Sequence, residues 1–221
     1  MRIGFIGAGH IGGNAARLFA AAGHDVMLSF ARDPQSLADR AAAIGPRASV
    51  GTPAEAAKFG EVTMLSVQWP VIPLALEQSG PLRGIVIDTT NQFERRGVVS
   101  LPGGVSAAAY NQQRLPGTSL VKSFNTLTSA FQAQAADRPA ETRVAMFLSG
   151  EDAVAKGVVS MLIRDAGFEP VDLGGFEQAH LQEAPRRPGA VYGEEYRLPA
   201  ALMVVEAVRA GRPIPPAPKY T

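Results

Sequence analysis

Cysteine is absent from these 221 residues. Its absence removes disulfide frameworks, thiolate metal sites and cysteine nucleophiles. Imidazoles are nearly as scarce. His10, His24 and His180 are the whole supply, too few and too scattered for a multi-histidine cage, so no metal site is expected. Charge is sparse too: 19% of residues are Asp, Glu, Lys or Arg, and the net charge is +1. The 21 basic residues are dispersed along the chain, which argues against a nucleic-acid partner. No apolar run approaches the roughly 20 residues of a membrane helix, and no membrane partner is expected. Met1 leads straight into a strand-like run, unlike a secretory signal. The expectation is a cytoplasmic protein.

The chain is instead rich in small and apolar residues, 46% hydrophobic with 23 glycines. That balance lies on the globular side of the disorder boundary. A compact chain of this length buries roughly 70% of its unfolded surface and needs no covalent staple.

Two periods alternate along the first 125 residues. Apolar runs at 2–6, 25–30, 48–50, 62–67, 84–89 and 120–124 read as strands. Segments at 11–22, 34–44, 53 onward, 72–78 and 106–115 carry helical spacing or helix-start signals. The strands are apolar throughout, not at every second residue. That is the mark of a parallel sheet covered on both faces. The fold class expected is α/β, a Rossmann-like, doubly wound and mainly parallel sheet with helices on both faces and a small C-terminal extension. Residues 1–135 read as the dinucleotide-binding core. Residues 136–221, with a strand at 143–148, a helix at 152–166, a strand at 170–173 and helices at 176–183 and 200–210, read as an extension on the same sheet, the whole being one structural domain.

Gly7-Ala8-Gly9-His10-Ile11-Gly12 fits G-x-G-x-x-G, follows a strand and opens a helix within a βαβ unit of about 30 residues. Gly7 suits the tight turn, Gly9 the approach of the backbone to a pyrophosphate, and Gly12 close packing of helix on strand. The N–H groups of His10 and Ile11 belong to the helix start, where partial positive charge collects. The His10 side chain reads as a bystander beside the phosphates.

An NAD site places an acid at the end of the second strand, about 20 residues on. Here Ser29 and Phe30 hold that tip and Arg32 follows. Serine and guanidinium suit a 2′-phosphate, so NADP(H) is the expected cofactor. Asp33 is the competing signal, able to take the ribose if it turns inward. Parallel topology also brings Val67, Gln68 and Trp69, then Thr89 and Asn91, then Asn125 to the same edge. A nicotinamide would lie near them. Trp69 could equally cap the core, and both asparagines could be ordinary turn formers.

With these segments in place, the chain resembles the NADPH-dependent deazaflavin reductases. The likeness rests on MRIGFIGAGHIGGNAARLFAAAGHDV, the basic turn at Arg32, a tryptophan after the fourth strand, IDTTN, VKSFNTL and the block FLSGEDAVAKGVVSMLIRDAGFEPVDLG. It implies hydride exchange between NADP(H) and a flat redox partner, a deazaflavin or flavin, governed by the proximity and orientation of two rings. The family often has proline where this chain has Gln68. It also often has its serine and arginine adjacent, where Phe30 and Ala31 separate Ser29 from Arg32.

No residue stands out as a catalytic acid, base or nucleophile. His180 with Gln182 and Glu183 reads as a proton relay or as surface. Arg186 and Arg187 read as an anion clamp or a solvated loop, and Tyr192 and Tyr196 as a cover for a cleft or as packing corners. Two other functions stay open. One is reduction of a small carbonyl or imine, which needs a proton donor that only tyrosines, His180 or lysines could supply. The other is a non-catalytic NADP(H) sensor. The last helix (ALMVVEAV) leaves room for a homodimer contact.

Overall fold

The computed structural model describes residues 1–220. β1 (Arg2–Ile6) leads into α1 (His10–Ala21), which stops at Gly23 with φ +95°. β2 (Asp25–Ser29), α2 (Pro34–Ile44), β3 (Ala48–Val50), α3 (Pro53–Phe59), β4 (Val62–Leu65), α4 (Ile72–Ser79) and β5 (Gly84–Asp88) continue the alternation. Local chemistry marks the helix starts. Asp33 caps α2 by accepting from the Gln35 N–H at 3.0 Å. Thr52 and Glu55 form a reciprocal box at α3, and proline occupies the first position of both helices.

A two-strand hairpin follows, β6 (Phe93–Glu94) and β7 (Gly97–Val98), then α5 (Ala107–Arg114), β8 (Thr118–Lys122), α6 (Ser129–Ala135), β9 (Ala145–Ser149), α7 (Ala153–Asp165), β10 (Glu169–Gly174), α8 (Phe176–Ala179) and α9 (Leu198–Arg209). The main sheet has eight strands in the order β10-β9-β8-β5-β4-β1-β2-β3. Its winding reverses between β1 and β4, the crevice in which doubly wound sheets bind nucleotides.

The sequence places every strand end on one edge, and the structure corrects this for β9. It meets β8 antiparallel, Lys122 opposite Ser149, while β10 runs parallel to β9. The segment through α6 brings the chain into β9 from beyond the carboxyl end of β8, so no crossover is made. The strand at 120–124 is also displaced, to Thr118–Lys122, because Phe124 takes φ +57° and ends the extended run.

One apolar cluster lies under α1, α6 and α7, where Phe19 meets Phe5 and Phe124 at ring distances of 6.2 and 5.8 Å. A second holds Ile6, Leu65, Trp69 and Ile72 with α4 and α5 on the other face. A third packs α9 on β9 and β10 around Tyr196, whose ring stands edge-on to Phe147 at 5.5 Å. Burial pushes the Tyr196 phenol up to about 12, with Glu194 and Tyr220 adding to the shift. Its folded value lies above the ordinary 10, so its contribution to stability is complete below pH 10 and fades as pH rises towards 12. Alkaline unfolding followed by circular dichroism should show a smaller loss across that window for Tyr196→Phe than for the native chain. No described helix is long and apolar enough to cross a membrane.

Candidate functional site

At the end of β1 the chain turns through Gly7, φ +100°, where a β-carbon would lie 2.3 Å from the Ser66 carbonyl oxygen. At Gly12 a β-carbon would lie 2.1 Å from the Gly7 carbonyl oxygen, so glycine here seats α1 directly on the strand end. Gly9 differs from both. Its φ is an ordinary −70°, and a β-carbon would meet nothing within 4 Å. Nothing inside the chain requires glycine at that position; a ligand lying against the backbone would. Gly9 caps α1 without a side-chain hydrogen bond, and the first turn holds no acid. The positive end of the helix is therefore unopposed.

Two adjoining cavities share Gly9, Ser66, Val67 and Gln68 and form one groove across the strand ends. The part beyond β2, about 610 Å³, is lined by Phe30, Arg32, Asp33, Ser36 and Arg40. Arg32 is exposed, with Nη2 3.5 Å from the Gln68 Oε1. Arg40 reaches over from α2 and donates to the Gly9 carbonyl at 3.3 Å. Phe30 lines this part with a left-handed backbone, φ +59°, an uncommon conformation for a bulky residue. Asp33 lines this part as well, with its Oδ1 accepting from the Gln35 N–H at the start of α2.

The other part, about 700 Å³, is lined by His10 and Ile11, by Val67 to Pro70, by Thr89 to Asn91, and by Phe93, Glu94 and Arg95 of the hairpin. Trp69 is 5% exposed. Its ring lies 6.0 Å from Tyr110, and the Arg114 guanidinium covers both rings. The indole is therefore the supporting floor of the groove. Thr89 Oγ1 donates to the Leu65 carbonyl or the Ser66 hydroxyl, at 3.3 and 3.1 Å.

Residues 2–92 match the family described as NADP oxidoreductase, coenzyme F420-dependent. The rat metalloreductase STEAP3 is 29% identical over 83% of this chain, which spans about a third (36%) of that protein's length. A hypothetical protein of Sinorhizobium meliloti superposes with a TM-score of 0.78 at 28% identity, over 90% of this chain and 95% of that one. A putative F420-dependent NADP reductase of an Arthrobacter species gives 0.66 at 27%, over 81% and 87%. The family description and the Arthrobacter protein both name NADP-linked reductases, and STEAP3 is a metalloreductase.

NADP(H) fits the groove on two counts: the cradle over Gly9 that a β-carbon would fill, and the two arginines at the end beyond β2. Two residues singled out from the sequence turn away from it, and a third borders it with its carboxamide engaged elsewhere. Ser29 is fully buried and its hydroxyl donates to the Phe5 carbonyl at 2.7 Å, within the sheet, so it does not face a phosphate. Asn125 is 5% exposed. Its amide donates to the Gln182 carbonyl at 2.6 Å or to the Asn91 Oδ1 at 3.1 Å, and the Gln182 amide donates to its Oδ1. Asn91 borders the groove, but its carboxamide is committed to Asn125 and to the Ala184 N–H. The two asparagines clasp the C-terminal extension to the strand ends.

The relay reading of the 180s is likewise corrected. Gln182 is fully buried between β8 and β9, and Glu183 accepts from the Ala107 and Ala108 N–H groups, both at 2.8 Å, so it caps α5. His180 is exposed, with Nδ1 2.5 Å from the Glu177 carbonyl oxygen. Arg186 pairs with Glu194, and Arg187 donates to carbonyls of its own loop.

Beneath the floor lies a group the sequence reading passed over. Asp88 and Lys122, both fully buried, pair at 3.0 Å. Lys122 also donates to the Thr90 carbonyl. Asp88 accepts from the Thr90 N–H at 2.8 Å and from the Asn111 amide at 3.0 Å. A lysine and an aspartate inside the apolar runs LVKSF and GIVIDT were the visible signal, since unpaired charges are almost never fully buried. Arg40 was missed too; its signal is the spacing Asp33, Ser36, Arg40 on α2, which gathers them on one helix face.

Proposed function

We propose that this protein is an oxidoreductase that moves hydride between NADPH and a flat redox ring, a deazaflavin or flavin, at the nicotinamide end of the groove. The observation that carries the reading is what lines that end. No tyrosine, lysine or His180 borders the 700 Å³ cavity, and its one imidazole, His10, stands at the start of α1 beside the pyrophosphate cradle. Ile11, Val67, Trp69, Pro70 and Phe93 give the cavity apolar surface for a ring, beside the polar Gln68, Thr89, Glu94 and Arg95. Proximity and orientation account for much of the rate of such a transfer. NADPH, once bound, supplies two electrons and a proton as hydride from its nicotinamide; the acceptor takes its further proton from water. The chain's part is to bind and orient. Gly9 lets the pyrophosphate lie against the backbone, Arg32 and Arg40 hold the 2′-phosphate, and Val67, Gln68 and Thr89 border the nicotinamide above Trp69.

An anaerobic spectrophotometric assay tests this, with NADPH or NADH against oxidised deazaflavin and free flavins. Bleaching with NADPH and little with NADH is expected; tight NADPH binding with no bleaching would sink the acceptor class. Arg32→Gln should weaken NADPH binding about tenfold or more and leave NADH binding nearly unaltered, since a charge-assisted bond to phosphate contributes about 1.5–3 kcal/mol. Titration calorimetry with both nucleotides checks it, and equal losses for the two would refute the 2′-phosphate role.

A further inference from the structure

The hairpin of β6 and β7 forms one wall of the nicotinamide end. Phe93 stands opposite Val98 and Glu94 opposite Gly97, which leaves Arg95 and Arg96 as the two tip residues. The positive φ needed to close the turn falls on Gly97, at +116°. The Phe93 N–H donates to the Asn91 carbonyl at 2.7 Å and the Val99 N–H to the Gln92 carbonyl at 2.9 Å, so the base of the hairpin is tied to the strand-end segment.

Its side chains are unusual for so small a turn. Phe93 is 44% exposed, lines the cavity, and lies 6.4 Å from the Tyr192 ring. Arg95 lines the cavity as well, and Arg96 does not. Neither arginine joins an ion pair among the described residues. Glu94 borders the same wall, and the two guanidiniums outweigh its charge. Turn formation calls for glycine, asparagine or aspartate, not for arginine. An exposed aromatic face with an unpaired cation two residues on is therefore accounted for by something entering the cleft.

We infer that this hairpin selects the hydride acceptor, Phe93 meeting its flat ring and Arg95 pairing with a negatively charged group on the ring's side chain. The inference rests on the proposed function and adds the acceptor's charge and the element that reads it. A lone cation at an exposed mouth favours the charged acceptor modestly, by about fivefold to tenfold.

Riboflavin and riboflavin 5′-phosphate carry one ring and differ by the phosphate. Each would be titrated into the NADP⁺-loaded protein by quenching of flavin fluorescence, and each assayed with NADPH. The phosphate form should bind about fivefold to tenfold more tightly at low ionic strength, with the preference shrinking in high salt. Arg95→Gln should bring the ratio close to one, Arg96→Gln should preserve it, and Phe93→Ala should weaken both flavins alike. All three positions are exposed, and melting curves would confirm that the variants fold. An unaltered ratio in Arg95→Gln overturns the inference. If both flavins are bound and reduced without preference, the hairpin's role falls and the proposed function stands. If neither flavin nor deazaflavin is bound or reduced, both fall.

Discussion

Lys122→Met is expected to lower the unfolding free energy by about 3–5 kcal/mol, the usual loss when one partner of a buried ion pair is removed. Both members are fully buried, and the Asp88 carboxylate would keep only the Thr90 N–H and the Asn111 amide against its charge. Dispersion from the methionine returns some packing but no charge. The double variant Asp88→Asn with Lys122→Met should recover much of the loss, since it removes the stranded charge as well. Urea unfolding of the native chain, both single variants and the double variant checks this. A loss below about 1 kcal/mol for Lys122→Met would mean that Asp88 does not depend on the lysine. The effect should reach the groove too, because Lys122 also holds the Thr90 carbonyl, in the segment that lines the nicotinamide end.

The second large effect is a contrast between two glycines three residues apart. Gly9→Val should leave the melting temperature nearly unaltered and weaken NADPH binding by about a hundredfold or more. The new β-carbon meets nothing in the chain within 4 Å, and the side chain projects into the volume over the start of α1. Losing two charge-assisted hydrogen bonds to a pyrophosphate, at about 1.5–3 kcal/mol each, is enough for that change. Gly12→Ala should do the reverse at first. Its methyl would lie 2.1 Å from the Gly7 carbonyl oxygen, and overpacking of this kind costs about 1–3 kcal/mol. That corresponds to a melting temperature several degrees lower. Differential scanning calorimetry with and without NADPH separates the two. A Gly9 variant that binds normally would remove the pyrophosphate from this loop.

Which segments form strands and helices was largely readable from period and punctuation, because the parallel strands are apolar end to end and each early helix carries its own stop or cap. The hairpin at 93–98 and the helix at 129–135 were not. FERRGV has no alternation long enough to register, and TSAFQAQA has too few apolar residues for a periodic stripe. At the site, the sequence could name the strand ends that meet but not the direction of a single side chain. Ser29 illustrates the limit. Its position at the tip of β2 was legible, yet a hydroxyl at a strand end can turn to a ligand or to a neighbouring carbonyl, and here it takes the Phe5 carbonyl. Asn91, Asn125 and Glu183 follow the same logic. Each satisfies backbone or amide groups contributed by residues dozens of positions away, and nothing local announces such a partner.

The cap that Glu183 places on α5 also bears on the order in which the chain can assemble. The helix begins at Ala107, and the carboxylate that satisfies its first two N–H groups lies 76 positions later. Those donors must stay with water until residues beyond β10 have docked. Helix α5 is short and carries a poor apolar stripe, and isolated helices of this length are marginal. It therefore belongs to the last part of the molecule to become rigid, however early it is synthesised. An emerging chain would form the glycine loop first and acquire a finished nicotinamide end only when its final third has folded back.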